Sequence, residues 1–180
     1  VNVLVAKPMA ATVGQCLAMI REAEKRGVKL GVVFQNRFEP RLRRARSMVA
    51  AGELGEVYRA LLRYATYRDM AYFRSADWRG RWATEGGGVL INQAVHYIDV
   101  LLWLLGRRPV EVFAYAGTVG HDIEVEDLVS AAVLFDGGCQ GVLQCSTLDY
   151  PDLTNIEVRG DKGMPVSYTH LRAHETRHDL

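Results

Sequence analysis

The sequence predicts an α/β protein: the end of a parallel sheet, then an α+β unit in which one main sheet carries a buried helix. Three observations predict it. Two short apolar runs, residues 1–5 and 30–34, alternate with two helix-like segments, the pattern of parallel strands joined by crossover helices. After Gly55 the pattern changes to strand-like runs separated by turn residues. Between those runs lies an apolar stretch, residues 89–105, opened by Glu85-Gly86-Gly87-Gly88 and stopped by Gly106. Its density of Val, Leu and Ile requires burial.

The elements follow in order. Residues 1–5 read as a buried strand ending at Ala6-Lys7-Pro8, with nothing ahead of it to finish a sheet, so the chain reads as starting in mid-fold. Residues 12–26 read as an amphipathic helix with Thr12 as N-cap and Gly27 as its stop. Residues 30–34 form a second buried strand, and 40–51 a basic helix ended by Gly52. Arg41, Arg43, Arg44 and Arg46 read as its solvated face. Residues 57–66 look like a strand, and 67–84 like a polar, aromatic loop holding Trp78, Arg79, Arg81 and Trp82. The long helix comes next. Residues 110–118, 127–135, 139–147 and 156–159 are strand-like, and Asp136-Gly137-Gly138 is a hairpin turn. The expected units are 1–53 and 54–164.

Residues 165–180 break the trend. His170, His174 and His178 imitate the spacing of a metal-binding helix. The string from Pro165 to Thr176, however, matches the translation of a transposase-type sequencing adapter. The segment is therefore read as an artefact and set aside, with no metal site expected. On this reading the chain is a fragment whose natural C-terminus is missing too.

A net charge of +1 gives no basic or acidic face for nucleic acid or membrane partners. Cys16, Cys139 and Cys145 have no paired spacing, which fits reduced thiols in a cytoplasm.

On a helix, Asn92, His96 and Asp99 sit at i, i+4 and i+7 and share a face. A polar stripe in a buried helix needs partners or employment. His96 reads either as a satisfied core histidine or as a proton-handling group, and its amide and carboxylate neighbours favour the second. Asp99 either orients the imidazole or satisfies a helix neighbour.

Taken together, strand-Ala6-Lys7-Pro8, Glu85 to Asp99, Gly52-Glu53-Leu54-Gly55 and Ile123-Glu124-Val125-Glu126-Asp127 resemble the glucose–fructose oxidoreductase / inositol dehydrogenase (Gfo/Idh/MocA) family, over residues 1–163. The resemblance implies the C-terminal part of a Rossmann parallel sheet, then an α+β domain with a large, mainly antiparallel open sheet and one buried helix. It further implies an NAD- or NADP-dependent oxidoreductase acting on a sugar-type hydroxyl, and a homo-oligomer formed through the open sheet. His96 is then the general base. Lys7, at the C-terminal end of a parallel strand where such sheets bind ligands, would stabilise the developing alkoxide. Asn92 would orient His96 or hold a substrate hydroxyl. Lys7, Pro8, Gln35 and Asn36 would face the cofactor, with ordinary loop polarity as the other reading of Gln35 and Asn36. Trp78 and Arg79 would close over cofactor and substrate, or else Trp78 and Trp82 pack against the sheet.

Two residues depart from the family pattern. Ala6 stands where a glutamate is usual and Asn92 where many members have aspartate. The Asn92-Gln93-x-x-His96 form resembles the branch acting on nucleotide-linked or amino sugars. Ala6 and Asn92 also favour an alternative, a non-catalytic sugar-binding or regulatory homologue; Lys7 and His96 occurring together oppose it. No Gly-x-Gly-x-x-Gly occurs in the 180 residues, so this chain by itself is expected to bind NAD(P) poorly and to be inactive.

Overall fold

The computed structural model describes residues 1–162 in full and the backbone of residues 166–171. Expectations placed on residues 165 and 172–180, His174 and His178 included, lie outside the described residues, as does the His170 side chain.

The chain opens with β1 (Val3–Val5), α1 (Val13–Lys25) and β2 (Leu30–Val32), with β1 and β2 parallel and in register from Val3↔Leu30 to Val5↔Val32. Thr12 caps α1 in a full capping box: its hydroxyl accepts from Gln15 N while the Gln15 side chain accepts from Thr12 N. A 3₁₀ turn over Gln35–Phe38 leads into α2 (Pro40–Ala50), which starts with Pro at its first turn and Glu39 as cap.

Beyond α2 come β3 (Val57–Tyr67), α3 (Met70–Arg74), α4 (Trp82–Glu85), α5 (Val95–Leu105), β4 (Pro109–Gly117), β5 (Leu128–Phe135), β6 (Gln140–Ser146), β7 (Leu148–Gly160) and β8 (Val166–Leu171). The six strands form one sheet in the order β4-β5-β6-β3-β7-β8, antiparallel except where β3 runs parallel to β6. The fold class is the one the residues imply: a parallel βαβ piece, then a mainly antiparallel sheet with a buried helix. Asp136-Gly137-Gly138 turns the β5–β6 hairpin as expected.

Alternation along β3 sends Ala60, Leu62 and Tyr64 to one face, where they meet α5; the Tyr64 and Tyr97 rings stack at 5.2 Å. Leu62, Val100, Leu101, Leu104, Ile156 and Val158 are almost wholly buried there. Each such side chain contributes about 1.5–3 kcal/mol through the area it removes from water. Leu42 and Ala45 of α2 join the same core.

Four local expectations are corrected. The helix read over 89–105 starts only at Val95. Its upstream amides are already taken: Gly88 N and Leu90 N donate to the Glu126 carboxylate at 2.9 and 3.1 Å, and Val89 N to the Glu126 carbonyl at 2.9 Å. Between these amides and Val95 the chain makes irregular turns, with Asn92 N donating to the Gly88 carbonyl and Ala94 N to that of Val89, so the regular helical ladder is delayed to Val95. The 67–84 loop contains the short helices α3 and α4, the first capped by Asp69 on Tyr72 N at 2.8 Å. The last strand, read as 156–159, extends over thirteen residues. Pro151 obscures it in sequence, yet it lies where the β3 pairing shifts register between Ala65 and Tyr67, so its missing donor interrupts no ladder. Asp152 fills that irregularity, accepting from Thr66 Oγ1 at 2.9 Å and Tyr67 N at 3.1 Å. Finally, β1 and β2 are not buried: Leu4 is 73% exposed, because no other described layer covers this two-stranded sheet.

Residues 166–171 pair antiparallel with β7. An open strand edge accepts any extended backbone, so this pairing makes no demand on the side chains of that segment.

Candidate active site

Because β1 and β2 are parallel, their C-terminal ends lie side by side, and the residues after them share one edge. Lys7 leaves β1 at that edge, followed by a cis bond to Pro8. Its side chain crosses to the second unit, where Nζ donates to the main-chain oxygen of Asn92 and lies 3.2 Å from Asn92 Oδ1. Asn92 sits in the turn ahead of α5 rather than within the helix, and its Nδ2 donates to Glu85 Oε1. Glu85 is buried, and its second oxygen accepts from Gly80 N.

Glycine makes this approach feasible. A Cβ on Gly86, where φ is 82°, would lie 2.4 Å from the Ala11 carbonyl oxygen; one on Gly88 would lie 1.9 Å from that of Glu126. The first contact sets the two units against each other, and the second locks the loop to the sheet.

His96 lies in the first turn of α5, half-buried, with its ring edge-on to Phe34 at the end of β2 (centroids 6.2 Å apart). Its Nδ1 is buried and has no hydrogen-bond partner among the described residues. Burial holds the imidazole below its ordinary pKa, the Lys7 ammonium pushes the same way, and Asp99 opposes them. Lys7 is likewise lowered by burial, with Glu85 opposing and Arg79 reinforcing. Lys7 thus contacts Asn92, and His96 lies close enough to feel the Lys7 charge.

Asp99 has a different role from either reading of it. It takes Arg37 in a fork, Nε at 2.7 Å, with Nη2 on the other oxygen. Arg37 also lies 6.0 Å from the Phe34 ring and 5.9 Å from Trp103. The pair pins the turn after β2 onto α5. Gln35 is exposed and Asn36 half-buried in that turn, on the same edge as Lys7.

Trp78 and Trp82 lie outside the buried core and are 43% and 54% exposed. Arg79 is held between two rings, its Cζ 4.1 Å from Tyr72 and 4.4 Å from Trp78. Its Nη1 donates to the Tyr72 hydroxyl, which also accepts from Gln93 Nε2 at 3.2 Å. Arg79 Nε and Gln93 Oε1 are buried without partners among the described residues. Arg79 also forms part of the wall of a cleft of about 580 Å³ between α3 and the β4–β5 connection.

Sequence reasoning did not assign Glu85, Tyr72 or Gln93. The available signal was Glu85 itself, a carboxylate directly ahead of a glycine run in a segment that must be buried. Glu126 and Asp127 were noted only as a motif. Asp127, fully buried, accepts from Val119, Gly120 and His121 main-chain N–H groups and from His121 Nδ1. Burial pushes its carboxyl up, and these donors together outweigh that and hold it below its usual range. Among the described residues no group of three or more His, Cys, Asp or Glu could hold a metal ion, and no helix is long and apolar enough to cross a membrane.

Comparison with known proteins identifies relatives of the chain. The chain is 34% identical over 142 residues to 1-carboxy-3-chloro-3,4-dihydroxycyclohexa-1,5-diene dehydrogenase of Comamonas testosteroni, covering 76% of this chain and 34% of that protein. It is 30% identical over 163 residues to 1,5-anhydro-D-fructose reductase of Ensifer adhaerens, covering 90% and 48%. The WlbA dehydrogenase from Bordetella pertussis, solved with NADH and UDP-GlcNAcA, superposes with a TM-score of 0.85 at 32% identity, over 92% of this chain and 50% of that one. The chain therefore spans about half or less of the length of the relatives it matches. The profile of the GFO/IDH/MocA C-terminal domain matches residues 42–166, so the chain belongs to the Gfo/Idh/MocA family of oxidoreductases.

Proposed function

We propose that this chain carries the proton-handling half of an NAD(P)-dependent oxidoreductase acting on a hydroxyl of a sugar or sugar derivative, nucleotide-linked sugars included. The observation that carries the reading is the contact of Lys7 with Asn92 beside His96, whose buried Nδ1 has no partner among the described residues. A depressed His96 is neutral near pH 7 and free to accept the hydroxyl proton. Lys7 donates to the reacting oxygen and favours its alkoxide form, while the Asn92 amide holds that ammonium in place.

The residues present fit a nicotinamide at the strand-end edge. Lys7, Pro8, Gln35 and Asn36 would line its ribose side, and Trp78 with Arg79 would cover cofactor and substrate. When bound, the nicotinamide is the acceptor for the hydride that leaves the carbinol carbon. The aromatic-clamped Arg79, with its unpaired Nε, suits a phosphate or carboxylate on the substrate. WlbA, solved with a nucleotide-linked sugar acid, supports that lean.

The absence of Gly-x-Gly-x-x-Gly from the 180 residues supports a further part of the reading: alone they turn over no substrate. Assembly through the open sheet face is part of it too; Phe113, Tyr115 and Val142 are 63%, 74% and 43% exposed there. So is a cytoplasmic setting, with all three cysteines unpaired and burial pushing the Cys145 thiol up to about 12.

The test is reduction of NAD or NADP by an intact parent enzyme offered sugars and nucleotide-linked sugars. Lys7→Ala and His96→Ala should each abolish most turnover with folding unchanged. Wild-type rates in both variants sink the reading.

A further inference from the structure

We infer that Glu85 is a positioning residue for Lys7, acting through the side-chain amide of Asn92 as a buried hydrogen-bond relay. This rests on the function proposed above but is tested separately from it.

Glu85 offers two acceptor oxygens to two fixed donors, Gly80 N on one side and Asn92 Nδ2 on the other. With Nδ2 committed to the carboxylate, the amide has one orientation left, and Oδ1 faces Lys7 Nζ at 3.2 Å. If the amide were reversed, an NH₂ would face an ammonium and a carbonyl oxygen would face a carboxylate. Glu85 thus selects the amide orientation that Lys7 requires. A carboxylate is needed for this. Glutamine has the same length, but its NH₂ would meet either Gly80 N–H or Asn92 Nδ2, leaving two donors opposed in a buried site.

The charge matters as well as the geometry. The titratable and charged groups facing Lys7 are Glu85 from α4, Arg79 from the loop before it and His96 from α5. Of these, Glu85 is the one that favours the ammonium. It offsets burial and the Arg79 charge, which both disfavour it. A charged Lys7 in turn depresses His96. The relay from Gly80 to Lys7 therefore modulates the protonation of both groups, on each of which burial acts most strongly.

The chain has four lysines, so biosynthetic labelling with ε-¹³C-lysine gives few signals without altering the ammonium, and Lys7→Arg assigns the one of interest. In the full chain, Glu85→Gln should move the Lys7 titration midpoint to lower pH. In an active parent enzyme it should lower kcat by up to about a hundredfold, the scale on which misplacing a reacting group acts, with KM little changed. The alkaline limb of the pH–rate profile should move in the same direction as Lys7. An unchanged Lys7 midpoint in folded Glu85→Gln overturns the inference while leaving the oxidoreductase reading intact. Should Glu85→Gln not fold, the unsubstituted chain decides. The Asn92 side-chain amide resonances should shift together with the Lys7 titration, and amide protons blind to that titration overturn the relay.

Discussion

Two units of this chain, the β1–α1–β2 piece and the six-stranded sheet with α5, differ in what holds them. No residue before Leu42 is buried, whereas α5 and the central strands β3, β6 and β7 enclose a continuous apolar core. Yet the candidate site takes Lys7 from the open unit and Asn92 and His96 from the packed one. On the proposed function, chemistry would depend on a weakly buried element being held in place by a few polar and steric contacts, and stability and function would be carried by different residues.

The sharpest way to break that division is at the seam. In an active parent, His96→Ala should lower kcat by roughly 10²- to 10⁴-fold, the span general-base catalysis supplies, with an unchanged melting temperature. A large drop in melting temperature would show that His96 belongs to the core instead. The converse is Leu101→Ala, at 1% exposure, which should destabilise by about 2–5 kcal/mol in denaturant melts, while Leu4→Ala should stay within about 0.5 kcal/mol. Similar losses at both positions would erase the difference between the units.

A smaller effect is expected at the pin between them. Arg37→Ala removes a fork to Asp99 whose arginine side is 42% exposed, so solvent screening limits the loss to about 1 kcal/mol. Hydrogen exchange should quicken in β1, β2 and the turn after them, with β3 and β7 unaffected. Uniform loosening would mean that the units are not separately held. The smallest effect is in pH dependence. Because the folded His96 pKa lies below its ordinary 6.5, the unfolded chain binds more protons in the window just under 6.5. Stability should therefore fall as pH drops through that window, and His96→Gln should flatten the slope of melting temperature against pH.

Legibility follows the range of the interactions. Thr12 as cap, Gly27 as stop and Asp136-Gly137-Gly138 as hairpin turn depend on neighbours within a few residues, and all stand in the structure. His96 could be named from its amide and carboxylate neighbours, whereas Lys7, which on its own reads as a surface lysine, is singled out only by Pro8 and the family resemblance. What was hidden depends on partners far along the chain. The loop ahead of α5 is held by Glu126, more than thirty residues downstream of the amides it takes. Asp99 is claimed by Arg37 rather than by its helix neighbours. The length of β7 is disguised by Pro151, whose register irregularity shows only when β3 is laid beside it.

Gly86 sets a clearance. Its missing side chain is the room that the Ala11 carbonyl occupies, and with φ at 82° no ordinary residue could take its place without moving that carbonyl. A single methyl group there would act as a shim, prising β1 away from α5 and drawing the lysine back from its amide. The spacing of the hydrogen-bond relay is thus gauged by an absence of atoms at a position that is itself no member of it.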